Sequence, residues 1–377
     1  MDKHSIQNVP RYYEPYVSDC FNNALAAQLS YMGLKPNIIL ADYLSFLYDS
    51  ETGYMGVNYL YKYNTSVEFT EEELNTSFQM AYFPVPELFS RVDSAKETKL
   101  LKDRILVKMY LENDSNLARQ RLKELIDGDM PAVVAVDLHY MQYHRAYKKD
   151  HGLHYIVVTG YDEEGGWYEL FDKYRLSSSD FDGRLPIDEI ILARESENPQ
   201  KNPLMGEFKR PLQNVWCEIG MHPEFKIEDK QLVAILKESC NRMSSRKNVL
   251  GIECGVNALN NLLHDLEYKK NEGLEEKNLY LFKTYYNETF KTIARSRKRF
   301  NAFLGELDGL VPSEVRSEAI HQLEESANKW DICANLSLKL GITRSIALIN
   351  DIINQLGEIR EREMQVVKIV DNWIENG

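Results

Sequence analysis

The apolar positions of this chain change their period near residue 225, and that change limits what it can fold into. After it, QLVAILKESCNRM, CGVNALNNLLHDL, LYLFKTYYNETFKTIARSRKRFNAFLGEL, SEVRSEAIHQLEESANKWDICANLSLKL and TRSIALINDIINQLGEIREREMQVVKIVDNWI repeat apolar residues every three to four positions. That is the period of helices burying one face. Gly273, Gly309 with Pro312, and Gly341 punctuate these segments. They predict a bundle of four or five helices without sequence repeats. Before the change the chain alternates helix signals with short β-rich runs. The sequence therefore predicts an α+β fold with an antiparallel sheet in residues 1–225, followed by an all-α helical domain in residues 226–377. The junction lies near Gly220, His222 and Pro223.

Ser18-Asp19 is a capping pair ahead of CFNNALAAQLSYMG, which Gly33 ends and Pro36 follows. Thr70 and Glu73 have capping-box spacing before another short helix. NLARQRLKELIDGD places Leu117, Leu122, Leu125 and Ile126 on one broad apolar face. PAVVAVDL reads as a buried strand, YIVVTGY (155–161) as a second and WYELFD (167–172) as a third. DEEGG between the last two has hairpin-turn composition. PIDEIILARE adds a further strand to this expectation.

The formal net charge is −13. A chain this acidic lacks the basic surface that phosphate backbones require, so nucleic acid is not the expected partner. The same field would draw a cationic small molecule such as a polyamine or aminosugar, or serve solubility alone. No run approaches the ~18 apolar residues of a membrane span, and the N-terminal residues carry no secretion signal. The five cysteines are odd in number, widely spaced and without CxxC pairs. Reduced thiols in the cytoplasm are expected, with no zinc site.

Cysteine attack on a carbonyl needs a thiolate, a base and donors for the developing oxyanion. A helix N-terminus favours the thiolate through its dipole and presents free amides. Cys20 stands immediately after the cap, and its bland alternative is a small buried core residue. His154 opens the strand YIVVTGY at a sheet edge. With a turn centred near Glu164, His154 faces about Tyr174, and Asp172 falls two residues away on the same face. A register one residue different would separate the two across the sheet. His139, His144 and His151 are alternatives that read as solvated surface, and Asp162 reads as a turn residue. Cys254, in CGVNAL, echoes the CFNNAL of Cys20 and also opens a helix. It follows His154 in the chain, and Cys20 is preferred. Cys240 and Cys333 read as core.

A helix-initiating Cys, GDMPAVVAVDL, then HxxHYIVVTGYD and an Asp ending the next strand occur here in that order. The pattern resembles the papain-like superfamily, near the bacteriocin-processing cysteine peptidases and nearer the family of butirosin biosynthesis protein H. The resemblance covers most of residues 10–220, and the stretch from Arg295 to Leu304 suits that family's C-terminal part. It implies a papain-like fold and a Cys20–His154–Asp172 triad. It also implies transfer of an acyl group from a thioester, usually on an acyl or peptidyl carrier protein, to an amine in antibiotic assembly. Amide synthases of the closthioamide type are similar enzymes. No cofactor is implied beyond the phosphopantetheine arm of a carrier substrate. One departure concerns the oxyanion hole. Papain-like peptidases carry Gln about six residues before the Cys, where this chain has Glu14. The second donor then falls to Ser18, Tyr16 or Asn22.

Three functions follow from these residues. The first is an amide-forming acyltransferase taking a diamine or aminosugar acceptor. An acidic carrier protein would then need a basic patch, for which Arg295, Arg297, Lys298 and Arg299 are candidates, with a solvated helix face as the alternative. The second is a cysteine peptidase or amidase, for which a pro-segment, secretion signal or transporter domain would be expected. The third is a binding protein on a decayed peptidase fold. The helical domain either covers the cleft or forms a homodimer.

Overall fold

The computed structural model describes residues 2–11, 19–57, 60–61, 87–88, 100–172, 180–202, 206–209, 211–249 and 251–376. Its N-terminal half is α+β, with an antiparallel sheet, and its C-terminal half is helical. Among the described residues the largest sheet has seven strands. Its path runs β5 (Leu106–Tyr110), β12 (Trp216–Gly220), β6 (Ala132–Asp137), β7 (Leu153–Asp162), β8 (Trp167–Asp172) and β9 (Phe181–Pro186). β1 (Lys3–Ser5) pairs with the far end of β7, Ser5 lying opposite Gly160. Two small sheets among the described residues hold β2 (Leu47–Asp49), β3 (Tyr54–Gly56) and β4 (Leu60–Tyr61), and β10 (Pro199–Asn202) and β11 (Gly206–Lys209). The strands β6 and β7 are apolar without alternation because both their faces are covered.

Helix α1 (Cys20–Tyr31) packs on β7 and β6. Asp19 caps it, its Oδ1 accepting from Asn22 N at 2.8 Å. Phe21 and every residue from Asn23 to Leu29 are buried, so this helix is enclosed on most of its circumference. Gly33, at φ +78°, turns the chain after it, and Pro36 opens α2 (Pro36–Ile39). Helix α3 (Ser115–Asp127) buries Ala118, Leu122 and Ile126, but Leu117 is 54% exposed. The buried stripe is centred on Leu122, and Leu117 falls outside it. Thr70 and Glu73 lie outside the described residues.

PIDEIILARE is not a strand. Pro186 ends β9 and precedes helix α4 (Ile187–Arg194). Ile187, Ile190, Ala193 and Arg194 are buried, a three-residue recurrence that fits a helix. Asp188 and Glu189 in the first turn and Arg194 in the last complement its dipole.

The helical half begins with α5 (Asp229–Met243) and α6 (Gly255–Glu272). The helix α7 (Glu276–Leu281) passes through a π turn at Phe282–Tyr286 into α8 (Asn287–Gly305). The long helices α9 (Ser313–Thr343) and α10 (Ala347–Asn376) pack on one another. Gly341 does not end α9. A Cβ there would come within 2.6 Å of Leu279 O and of Lys283 Cβ, so glycine serves close helix approach. The break comes at Arg344, which is left-handed at φ 60°.

Residues 42–57 are gripped by these helices. Arg297 donates to Ser45 O at 2.6 Å, Gly255 N to Phe46 O at 2.8 Å and the Tyr285 hydroxyl lies 2.7 Å from Met55 N. The Phe46 ring packs 5.4 Å from that of Trp330. A single apolar core cluster joins residues of both halves.

Candidate active site

Cys20 is the first residue of α1, where the backbone amides have no acceptor within the helix. It is partly exposed, unlike the buried Cys217, Cys240, Cys254 and Cys333, and all five thiols are free. Residues 12–18 lie outside the described residues, so Glu14, Tyr16 and Ser18 are not placed. Asn22 is described, and its backbone amide is engaged by the Asp19 cap.

His154 stands one residue into β7, opposite Val136 of β6, and is 4% exposed. Its Nε2 donates to Asp172 Oδ2 at 2.8 Å. The ring also hydrogen-bonds with Cys20, for which Nδ1 is the nitrogen left. Burial works to lower the imidazole pKa. Asp172 and then Cys20, both favouring the cation, outweigh it, and the pKa stands well above the ordinary histidine value. Asp172 ends β8 and is 3% exposed. Cys20, Asn23, Tyr155, Phe171 and Asp172 line a small cavity between α1 and the sheet. The structure thus brings Cys20, His154 and Asp172 together.

Tyr174, the expected position opposite His154, lies outside the described residues. The pairing that can be followed has Val157 opposite Phe171 and Val158 opposite Leu170. In that register Asp172 comes opposite Ile156, the next residue after His154 on the same face of β7.

Tyr143 was not anticipated. Its hydroxyl donates to Asp172 Oδ2 at 2.8 Å, the oxygen that also receives His154 Nε2. Its ring stacks on Phe181 with centroids 4.5 Å apart. Burial, then the charge of Asp172, hold the phenol pKa well above its ordinary value, so it remains a donor. The only sequence signal was a tyrosine in a polar loop two residues after Met141, itself fully buried.

His139 and His151 are not solvated surface. Their rings stack at 4.1 Å, nearly parallel. His151 Nδ1 lies 2.6 Å from Asp137 Oδ2. Asp137 is fully buried and also accepts from Ser196 Oγ at 2.6 Å and from the amides of His139 and Gly152 at 3.0 Å each. Burial alone would raise its pKa. The donors, led by His151 and Ser196, hold it below the ordinary carboxylate value. This carboxylate ties both ends of the loop 138–152 to the end of β6. His144 lies on the same loop, its ring 6.2 Å from that of His154. Asp162 is a turn residue as expected, accepting from Gly165 N at 2.6 Å.

Cys254 caps α6 and is fully buried, with Sγ 2.7 Å from Lys247 O. Burial pushes its pKa up to about 11, the reverse of what a nucleophile needs. The expected basic patch does not exist as one. Arg297 is fully buried against Glu363, Lys298 pairs with Asp331 and Arg299 with Asp42, each at 2.7 Å. Consecutive residues 297–299 fall on different faces of α8, and their partners in α9, α10 and residue 42 decide their burial.

Among the described residues no group of three or more His, Cys, Asp and Glu is placed to hold a metal ion. None of the described helices is long and apolar enough to cross a membrane.

No curated protein matches the chain. Residues 19–173 match the family described as Butirosin biosynthesis protein H, N-terminal. The matched segment starts one residue before Cys20 and ends one after Asp172, enclosing Tyr143 and His154 as well. That family is named for a protein of antibiotic biosynthesis, which points to an enzyme of such a pathway. With its helix-initiating cysteine, buried histidine and strand-ending aspartate all inside the match, the N-terminal region of this chain belongs to the butirosin biosynthesis protein H-like family.

Proposed function

We propose that this protein is a cysteine-dependent acyltransferase that forms an amide from a thioester, with Cys20, His154 and Asp172 as its catalytic triad. The observation that carries the reading is a partly exposed cysteine at a helix N-terminus, hydrogen-bonded to a buried histidine whose other nitrogen is held by a buried aspartate. We take residues 1–225 as the catalytic domain and residues 226–377 as an accessory helical domain.

Cys20 sulfur attacks the thioester carbonyl as the thiolate, its proton passing to His154. The Cys20 amide faces the developing oxyanion as one donor. The carrier thiol leaves with a proton from His154, giving an acyl-Cys20 thioester and a neutral imidazole. The acceptor amine then attacks the same carbonyl, and His154 takes the proton that the nitrogen loses. The C–S bond breaks, and Cys20 returns as the thiolate beside the imidazolium. No net oxidation occurs, and no cofactor is required beyond the phosphopantetheine arm of the donor. The donor in this reading is an acyl thioester, on a carrier protein or another thiol, and the acceptor is a small amine such as a diamine or aminosugar, a cation that the net charge of −13 favours.

Intact-protein mass spectrometry with a panel of acyl-loaded carrier proteins and acyl thioesters tests this. Wild type should gain the acyl mass, Cys20→Ala should not, and an added diamine should discharge the adduct as an amide. Cleavage of peptides or amides without any adduct or amide product would replace this reading with a hydrolase.

A further inference from the structure

The oxygen of Asp172 that holds His154 has a second donor outside the three residues of the triad. Tyr143 comes from the 138–152 loop and reaches Asp172 Oδ2 at 2.8 Å, the same distance as His154 Nε2. One carboxylate oxygen therefore divides its negative charge between a neutral phenol and the imidazole.

The phenol is held there by built structure. Its ring stacks on Phe181, which lies directly opposite Asp172 in the β8–β9 pairing. The loop itself is fastened at both ends to the buried Asp137, through the His139 amide before Tyr143 and through His151 and the Gly152 amide after it. Internal turns complete it, with His144 N bonded to Met141 O at 2.9 Å and Lys148 N to His139 O at 2.9 Å. Met141 is fully buried. A loop that served only to connect two strands would not need a fully buried carboxylate with four donors at its base.

We propose that Tyr143 is a positioning residue of the catalytic centre. It fixes the Asp172 carboxylate and moderates the charge that this carboxylate presents to His154, so that the imidazole can gain and lose its proton during turnover. The inference rests on the acyltransferase reading above for its use, but the relation it asserts is between Tyr143, Asp172 and His154. An imidazolium facing an unmoderated carboxylate holds its proton too firmly to protonate a leaving thiol. An imidazole facing a carboxylate free to rotate loses its aim at Cys20. The hydroxyl of Tyr143 acts against both, and its raised pKa keeps it a donor across the working range.

The test is the pH profile of Cys20 alkylation by iodoacetamide, read by intact mass, in wild type, Tyr143→Phe and His154→Ala. Phenylalanine keeps the stack on Phe181 and removes only the hydroxyl. In Tyr143→Phe the alkaline limb that reports His154 should move up by about half a pH unit or more. Turnover on an acyl thioester should fall roughly 10-fold, within the range of acid–base contributions. Phe181→Leu, which removes the stack but leaves the hydroxyl in place, should give a smaller shift in the same direction, and serves where Tyr143→Phe does not fold. If wild type differs from His154→Ala but Tyr143→Phe and Phe181→Leu both superpose on wild type, the positioning role is wrong while the triad stands. If wild type and His154→Ala superpose, the triad itself fails and this inference goes with it.

Discussion

His154 and Asp172 share one face of the sheet because β7 carries one residue more than β8 between them and the hairpin turn. At the turn, Asp162 pairs with Trp167 and Gly160 with Glu169. Extended without interruption, that register would put Asp172 opposite Val157, on the face away from His154. Thr159 is the extra residue, and beyond it the pairing resumes with Val158 opposite Leu170. The bulge moves Asp172 opposite Ile156 and onto the His154 face, a one-residue shift with the consequence expected of any register change.

Gly160, beside the bulge, lets β1 approach β7 closely. A Cβ at that position would come within 2.8 Å of His4 O and 3.1 Å of Ser5 Cα, both in β1. Gly160→Ala should therefore push β1 from β7 beside the bulge. The expected cost is about 1–3 kcal/mol in urea unfolding, the range for overpacked sites. Alkylation of Cys20 measured well below the melting temperature should slow as well. Wild-type values for both would mean that β1 yields freely and that the close approach does not rely on this glycine.

The His154 pKa gives the pH dependence of stability a definite sign. Its folded value lies above the ordinary one because Asp172 and Cys20 together outweigh burial. A group raised on folding contributes stability that is complete below its unfolded pKa of about 6.5 and is lost as pH rises through the folded value. Asp172→Asn removes the larger part of that contribution. Asp172→Asn should be most destabilising near pH 6, with the gap to wild type narrowing into the alkaline range. A gap that widened with pH would mean that His154 is held neutral. In turnover, His154→Ala should cost about 10³–10⁴-fold and Asp172→Asn roughly 10²-fold.

The two cysteines that open helices should separate cleanly. Cys20→Ala should end acyl loading with the protein still folded. Cys254→Ala should leave loading unchanged, since the thiol is fully buried and its proton is directed to backbone oxygens of Lys247 and Arg242. Its cost should appear only in stability, at about 1 kcal/mol for a buried hydrogen-bonded group. Peptide mapping of brief iodoacetamide labelling checks this, and prior modification at Cys254 would reverse the assignment.

What the sequence made legible was local. The cap at Asp19, the strand PAVVAVDL and the hairpin of YIVVTGY and WYELFD each follow from neighbouring residues, and they bring Cys20, His154 and Asp172 close. The register came out correctly for an incomplete reason. A turn centred near Glu164 gives the same alignment as the observed turn one half-residue later plus the bulge at Thr159, and bulges leave little trace in composition. The misread or missed positions depend on partners distant in sequence. Asp137, one acidic residue within PAVVAVDL, draws its role from Ser196 and His151, both distant along the chain. Gly341 looked like a stop until Leu279 and Lys283 packed against it. Ile187 to Arg194 looked like a strand because three isoleucines and a leucine outweigh, in β-propensity, the three-residue recurrence that makes the segment a helix.

Arg297, a basic-patch candidate in the sequence, is instead the centre of the helical half. Its Nε and Nη2 meet both oxygens of Glu363 at 2.7 and 2.8 Å, and Nη1 donates to Ser45 O at 2.6 Å. Glu363 also accepts from Ser326 Oγ at 2.7 Å and Trp330 Nε1 at 3.0 Å. Burial would raise the Glu363 pKa, but Arg297 and these donors hold it below the usual value, so the carboxylate stays charged. Removing one partner strands the other without water, and Arg297→Met should cost about 3–5 kcal/mol in urea unfolding. Adding Glu363→Gln removes the stranded charge while keeping an acceptor for Trp330 and Ser326. The double variant should recover more than half of that loss. Because Arg297 also anchors Ser45, in the segment following α2, Arg297→Met should slow Cys20 alkylation in parallel with its loss of stability. A variant as stable as wild type but unable to load from a carrier protein would restore Arg297 as a docking residue.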